Sequence, residues 1–517
     1  MVKEQESKSP RKQSDHKKIE PFADPELVIG LVGAVGTELD KVVKIITEKL
    51  KTFRYKNIRE IHISKEVIPE VTNVDLLENG DEYLRINNLM TAGDEARRKS
   101  GDNSILALGA AARIGEQAVK VGNTTPRSYR KGQAYIIKSL KHPDEVLKLR
   151  EIYPLGFYLF GVYAEEGQRK NYLINDKGME KEDAIKLMGR DEGENTDYGQ
   201  RVRDTFHMSD FFVHLDDSQD KLKNSLWRIL DIMFGHPQET PIFDEYAMFL
   251  AHAAALRSGS LSRQVGAVIA KNNEIIATGA NECPKYGGGL YWPYFNNKKH
   301  KIENDEDGRD FMRDEDSNHV QLERIKDDIL AKADLSGDNV EKLKKALDSS
   351  PINDLSEFGR TVHAEMEALM QCARNQGNAR GSTLYTTLFS CHNCAKHMIA
   401  AGIKRVVYIE PYPKSKATEL HGDAILLGFF KPKESPGKMC FEPFVGVGPR
   451  RFFDLFSMWL GSGSKLIRKN PEKKPLKWEP KKSKLRLQML PHSYLDAELT
   501  ASDAFQNVAK RSKEAKK

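Results

Sequence analysis

Three good zinc ligands and one carboxylate fall at a spacing suited to hydrolysis. His363-Ala364-Glu365 is followed by Cys391-His392-Asn393-Cys394. Imidazole and thiolate bind zinc well, and three protein ligands leave a fourth position for water, whose pKa there falls to about 7. Cys391 and Cys394 are three apart, so the first turn of one helix directs both sulfurs the same way. A helix N-terminus also favours their thiolate forms. Glu365 need not be a ligand. It is free to take the proton of water, to protonate a ring nitrogen and to pass a proton to a leaving amine. H-x-E followed by C-x-x-C is the set required to attack an amidine-like carbon of a nucleobase and expel ammonia. The expected assignment is therefore Glu365 as the catalytic acid and base, with His363, Cys391 and Cys394 holding Zn2+. A purely structural zinc site would need His392 or Cys372 as a fourth ligand and would leave Glu365 without a task. Cys372 and Cys440 read as packing residues, and His392 and His397 as surface or supporting ones.

The elements around these residues predict how they meet. A helix over His363–Cys372, a strand over Thr383–Leu388, a helix over Cys391–Ala401 and a strand over Arg405–Ile409 bring two helix starts to one point. Upstream lie a helix over Ile242–Leu256 and two strands, Gln264–Ala270 and Glu274–Thr278, joined at Lys271-Asn272-Asn273. A charged insertion runs from about 286 to 359, with helical pieces at Val320–Leu330 and Val340–Leu347. Together these predict an α/β/α domain over 241–460.

Residues 26–235 predict a second α/β unit. Strand-like runs at Leu27–Val32, Ile58–Ile63, Ala134–Ile137, Phe157–Tyr163 and Phe211–Leu215 alternate with helical stretches, which argues for a largely parallel sheet covered on both faces. Gly30, Gly33, Gly36 and Thr37 sit where the first strand gives way to a helix. There a phosphate loop would present backbone N–H groups, and these four residues are the nucleotide-binding candidates. Glu38, Leu39 and Asp40 stand where such a loop carries Gly, Lys and Ser or Thr, so the usual phosphate-reaching lysine is missing; Lys41 is the substitute within reach. The domain reads as a degenerate P-loop, kinase-like unit that binds a nucleotide effector rather than transferring phosphate. His236–Pro241 reads as the linker.

Composition narrows the class. The chain has 517 residues, 39% hydrophobic and 30% charged, with no run approaching the about 20 apolar residues of a membrane span. Residues 1–25 read as a flexible arm without the apolar core of a secretory signal. Five cysteines form an odd, sparse set that fits a reducing cytoplasm. Net charge is +6, yet residues 461–517 hold 15 Lys/Arg against 6 Asp/Glu, so this tail is +9 and the rest −3. That balance disfavours a long polyanion groove in the folded part. The tail reads as a solvated, flexible segment, with RNA contact as the alternative.

From Tyr246 to about Tyr412 the chain resembles the deoxycytidylate deaminase branch of the zinc-dependent cytidine deaminase superfamily. The resemblance is carried by Ala255-Leu256-Arg257-Ser258, Ser262 to Ile269 (SRQVGAVI), Thr278 to Glu282 (TGANE), Gly308-Arg309-Asp310-Phe311, His363-Ala364-Glu365 and the Cys391/Cys394 pair. It implies Asn281 on the sugar hydroxyl, Ser262 and Arg263 toward the sugar-phosphate end, Ala364 in the substrate site, and a homo-oligomer. Ser390 stands where the family usually has Pro, a change expected to have a small effect. Taken whole, the chain resembles the bacterial anti-phage deoxycytidine nucleotide deaminases. That implies conversion of dCTP and dCMP to dUTP and dUMP, which would starve a phage of dCTP, and in some relatives restraint by a small noncoding RNA. The competing readings are an RNA-regulated nucleotide- or RNA-binding protein and a base-editing deaminase acting on nucleic acid.

Overall fold

The computed structural model describes residues 24–72, 80–120, 130–192, 198–215, 218–333, 335–410, 415–429, 437–459, 461, 465–488, 498, 501–503, 505–507 and 509–510. The expected arm lies outside them except for Asp24 and Pro25. Two six-stranded sheets dominate, with one two-stranded hairpin.

The first sheet is built from β1 (Leu27–Val32), β2 (Asn57–His62), β3 (Gln133–Lys138), β4 (Phe157–Tyr163) and β5 (Phe211–His214), all parallel in the order β5-β4-β1-β3-β2. Central β1 is buried along its length, as an unbroken apolar run in a two-sided parallel sheet requires. The first unit's helices are α1 (Leu39–Thr52), α2 (Ile68–Val71), α3 (Glu82–Ser100), α4 (Ile105–Lys120), α5 (Pro143–Ile152), α6 (Glu166–Asn171), α7 (Lys181–Glu192), α8 (Val202–Phe206) and α9 (Gln219–Met233). On one face Val42, Val43, Ile46 and Leu50 of α1 pack with Leu226, Ile229 and Leu230 of α9. On the other, α4 and α5 cover Val28, Ile61, Tyr135 and Ile137. The expected two-sided parallel sheet is present. Sequence periodicity did not reveal α4, because its first two turns, Ile105–Ala112, are apolar and buried on every side, and its polar stripe begins only at Arg113 and Glu116.

The second sheet contains β6 (Gly266–Lys271), β7 (Glu274–Ala280), β10 (Thr383–Leu388), β11 (Arg405–Glu410), β12 (Ile425–Leu427) and β13 (Met439–Pro443), in the order β12-β13-β11-β10-β6-β7. β6 and β7 form an antiparallel hairpin whose Asn272 and Asn273 both have positive φ, 53° and 61°; asparagine tolerates this better than most residues. Helix α10 (Phe243–Ala255) covers one face, while α13 (Ala364–Arg374) and α14 (His392–Ala401) cover the other. Between β7 and α13 in the chain lies the expected insertion, with hairpin β8 (Tyr294–Asn296) and β9 (Lys301–Glu303) followed by α11 (Ser317–Lys332) and α12 (Asp338–Asp348). α15 (Ala417–Leu420) precedes β12.

Two features correct the expected domain plan. First, β14 (Gly446–Val447) leaves the second unit and pairs antiparallel with β5, and α16 (Pro449–Phe456) follows it. Buried Glu245 of α10 accepts the Val447 N–H at 2.9 Å and pairs with both terminal nitrogens of Arg228, on α9, at 2.8 and 2.9 Å. Second, the described parts of the 461–517 tail, exposed over much of 467–484, are anchored to the first unit at two places. Leu485 and Leu487 enter the core of the first unit beside α1 and α9, and Ala501 and Phe505 enter the core beside α4. The cause is apolar burial, which outweighs the local charge density around those side chains. Among the described residues no helix is long and apolar enough to cross a membrane.

Candidate active site

The site gathers at one edge of the second sheet. β10 and β11 are parallel, and β6 is antiparallel to β10. The ends of β10 and β11 therefore share an edge with the start of β6 and the end of β7, where α13 and α14 also begin. The crevice beyond strand carboxyl ends is where open α/β sheets bind ligands.

His363 is the N-cap of α13 and Cys391 the N-cap of α14, so each stands one residue outside its expected helix. Cys391 Sγ accepts the Cys394 N–H at 3.4 Å. His363 Nδ1 is 3.4 Å from Cys391 Sγ and 3.4 Å from Cys394 Sγ. A tetrahedral zinc with Zn–S about 2.3 Å and Zn–N about 2.0 Å separates S from N by about 3.5 Å, so the three donors fit the ion. Hydrogen bonding from Cys394, then from His363, holds the Cys391 thiol well below the usual range. The bond to Cys391 pushes His363 up to about 9.

Glu365 lies in the first turn of α13, 4% exposed, with Oε2 3.5 Å from Cys394 Sγ. Burial raises its pKa, the negative charge on Cys391 adds to that, and His363 opposes it. A carboxyl so placed holds a proton more readily than one in water. Cys372, on the core-facing side of α13, is a packing residue, as expected, and His397 is exposed. Ser390 is buried. Its carbonyl accepts the Ser415 hydroxyl at 2.8 Å, so a hydrogen bond restrains the turn that Pro would otherwise fix.

Asn281 directly follows β7 and is buried. Its Oδ1 accepts the Val265 N–H and its Nδ2 donates to the Arg263 carbonyl, both at 2.7 Å, so the amide shapes the Ser262–Val265 turn. Ser262 Oγ lies 3.4 Å from Ser260 Oγ, and the Arg263 guanidinium pairs with Glu410. Ala364 is buried at the first position of α13.

Sequence reasoning gave no role to Glu282 and Arg309. Their buried ion pair (Nε at 2.8 Å) ties the insertion to the residues just after β7, and Glu282 also accepts the backbone N–H groups of Gly259 and Cys283, both at 2.9 Å. Val362, next to His363, donates its N–H to the Glu282 carbonyl at 3.0 Å. The pair thus pins the strand leading into α13. Its signals in the sequence were the TGANE and GRDF motifs, which hold one partner each.

The nucleotide-binding candidates of the first unit separate. Gly30 is not on the loop: it lies inside β1, where a Cβ would stand 2.8 Å from the Phe157 ring. Gly33, Gly36 and Thr37 do form a turn, with the Thr37 N–H on the Ala34 carbonyl and Gly36 at φ +85°. The Val35 N–H within it is taken by Asp191 Oδ2 at 2.6 Å. Lys141 Nζ donates to Asp191 Oδ1 at 2.7 Å and to the Gly33 carbonyl at 3.1 Å. A buried carboxylate therefore occupies an anion position on the turn. Lys41, the expected substitute lysine, pairs with Glu38 at 2.8 Å.

Residues 241–410 match the family model described as the cytidine and deoxycytidylate deaminase zinc-binding region. The deoxycytidylate deaminase of Enterobacteria phage T4 is 29% identical over 202 residues, 37% of this chain and 92% of that protein. That of Enterobacteria phage T2 is 30% identical over 174 residues, 32% of this chain and 79% of that protein. A solved dCMP deaminase from the cyanophage S-TIM5, in complex with dCMP and dUMP, aligns at 18% identity over 40% of this chain and 99% of that one. Its TM-score is 0.22. A His/Cys/Cys cluster with a buried carboxyl beside it, inside a matched zinc-binding region, and a relative spanned over most of its length lead to one conclusion: the chain belongs to the deoxycytidylate deaminase family.

Proposed function

We propose that the protein converts the free deoxycytidine nucleotides dCMP and dCTP to dUMP and dUTP with release of ammonia, using zinc held by His363, Cys391 and Cys394. The observation that carries this reading is the buried Glu365 carboxyl, 3.5 Å from Cys394 yet outside the three-ligand cluster. Zinc, when bound, supplies the positive charge that acidifies water at the site. Glu365 as carboxylate takes a proton from that water and gives it to the ring nitrogen of cytosine as oxygen adds to the amine-bearing carbon. It then takes the remaining proton of the added oxygen and delivers one to the amine, which leaves as ammonia. Its raised pKa suits a group that must hold and release a proton in one turnover. The Ala364 N–H, free of intrahelical partners at the first turn of α13, is assigned to the base. Asn281, with one amide hydrogen beyond its bond to Arg263, is assigned to the sugar hydroxyl. Ser262 and Arg263 are assigned to the phosphate end.

The first unit is read as a regulatory nucleotide- or partner-binding domain; Asp191 on its glycine turn speaks against phosphotransfer. Control by a small noncoding RNA and a role in depleting dCTP against phage rest on family resemblance alone. The test is a deamination assay across dCMP, dCTP, CTP and short oligonucleotides, with metal content measured on the same protein. Turnover of oligonucleotides alone would overturn the reading.

A further inference from the structure

Arg263 and Glu410 meet at the sheet edge that carries the metal cluster. Glu410 is the last residue of β11, and its backbone carbonyl accepts the Phe389 N–H at 2.7 Å, two residues before Cys391. Its position is therefore fixed relative to the cluster. Its carboxylate holds Nη1 of Arg263. The arginine side chain is 54% exposed and the glutamate 15%, so the carboxylate closes the guanidinium from the protein side while the arginine stays open to solvent.

Glu410 has a second neighbour, contributed by the first unit. His207 caps the C-terminal end of α8, and its Nδ1 is 3.9 Å from the other carboxylate oxygen. Asp204 of α8 completes a cluster whose donor atoms lie within 4.8 Å of one another. Both carboxylates already have an arginine, since Arg201 Nε donates to Asp204 at 2.7 Å, so this charge is balanced without a cation. α8 is in turn tied to the glycine turn of the first unit. The Arg201 N–H donates to the Lys141 carbonyl at 2.9 Å, and the Lys141 amine holds Asp191 there.

We propose that Glu410 is a positioning residue that competes with the substrate's phosphate for Arg263, and that His207 biases this competition by drawing on the same carboxylate. The inference rests on the reading of Arg263 as a phosphate-end residue. A carboxylate on Arg263 cancels its charge and repels an arriving phosphate. A phosphate offers more charge and more acceptor oxygens, so it takes the guanidinium while Glu410 turns to His207. Affinity for a 5′-phosphorylated substrate then depends on Glu410 and on a residue of the other unit. A nucleoside, which lacks the phosphate, feels neither.

The test is steady-state deamination of deoxycytidine, dCMP and dCTP by the full-length, zinc-loaded protein and its Glu410→Gln, His207→Ala and Arg263→Ala variants. Inhibition by deoxyuridine and dUMP gives the same comparison if the nucleoside turns over too slowly. Glu410→Gln is expected to lower the KM of both nucleotides about tenfold, with kcat within about twofold and the nucleoside unchanged. His207→Ala is expected to raise nucleotide KM about threefold. A Glu410→Gln shift equal for nucleoside and nucleotide, or no shift, overturns the proposal. If Arg263→Ala fails to separate nucleotide from nucleoside, the phosphate-end reading falls and this inference with it. If Arg263→Ala separates them and Glu410→Gln does not, the competition alone falls.

Discussion

Gly279 of β7 lies so close to Ala364 of α13 that a Cβ on the glycine would overlap the Ala364 carbonyl oxygen and stand 2.5 Å from the Ala368 nitrogen. Ala364 sits between His363 and Glu365, so this contact sets the height of ligand and carboxyl above the sheet. Gly266 of β6 makes a similar approach to α10 on the opposite face. Gly279→Ala must push α13 outward, since no flexible side chain can yield. The expected result is loss of bound zinc and activity, with destabilisation of about 1–3 kcal/mol or more. Metal analysis beside thermal unfolding checks this; a fully loaded, active variant would show that α13 is positioned otherwise.

Glu365→Ala separates proton transfer from metal binding. The variant is expected to keep zinc and to lose about 10²–10⁴-fold in kcat on dCMP. His363→Ala and Cys391→Ala are expected to lose metal and activity together. Appreciable ammonia release by zinc-loaded Glu365→Ala would reassign the proton shuttle.

Asp244 gives the second unit an acid limit. Burial would raise its pKa, but Arg405, at 3.1 and 2.8 Å, and the Tyr385 hydroxyl, at 2.6 Å, outweigh burial and hold it below the usual range. A depressed folded pKa means its contribution is full above the ordinary Asp value of about 3.9 and fades as pH falls through the folded value. Asp244→Asn is expected to cost about 1.5–3 kcal/mol at pH 7. It should also flatten the fall of Tm below pH 4. Equal acid slopes in variant and parent would remove Asp244 as the cause.

Removing the tail is expected from the structure to unfold the first unit. Phe505 packs so closely on Gly109 that a Cβ there would stand 2.6 Å from its ring. Phe505→Ala is expected to cost about 3–5 kcal/mol. Limited proteolysis should find new cuts in residues 26–235 and leave zinc content unchanged. Unaltered proteolysis of a protein lacking residues 480–517 would count against this.

What the sequence made legible was local. The Cys391/Cys394 pair, the helix start at His363, the five parallel strands of the first sheet and four strands of the second follow from spacings within a turn or a short run; β12 and β13 were not read. Contacts between distant segments were hidden. Glu410 and Arg263 are 147 residues apart, and Arg309 lies within the insertion, 27 residues from Glu282. The tail misled because Leu485 and Leu487 alternate with Lys484 and Arg486, which looks solvated. In fact Arg486 is itself buried, donating to the Asp454 and Ser457 carbonyls at 3.0 and 2.7 Å. β14, two residues long, has no periodicity to read.

β14 also bears on how the chain is made. A ribosome releases β1 to β5 first, yet their sheet receives its outer strand only with Gly446 and Val447, and its core is closed only by Phe505. At about 5–20 residues per second the early strands wait on the order of tens of seconds for those partners. The metal cluster, complete at Cys394, is synthesised well before the unit that precedes it is finished. A polypeptide stalled between these points carries a complete catalytic set beside an unclosed neighbour, so translation itself orders the appearance of the two halves.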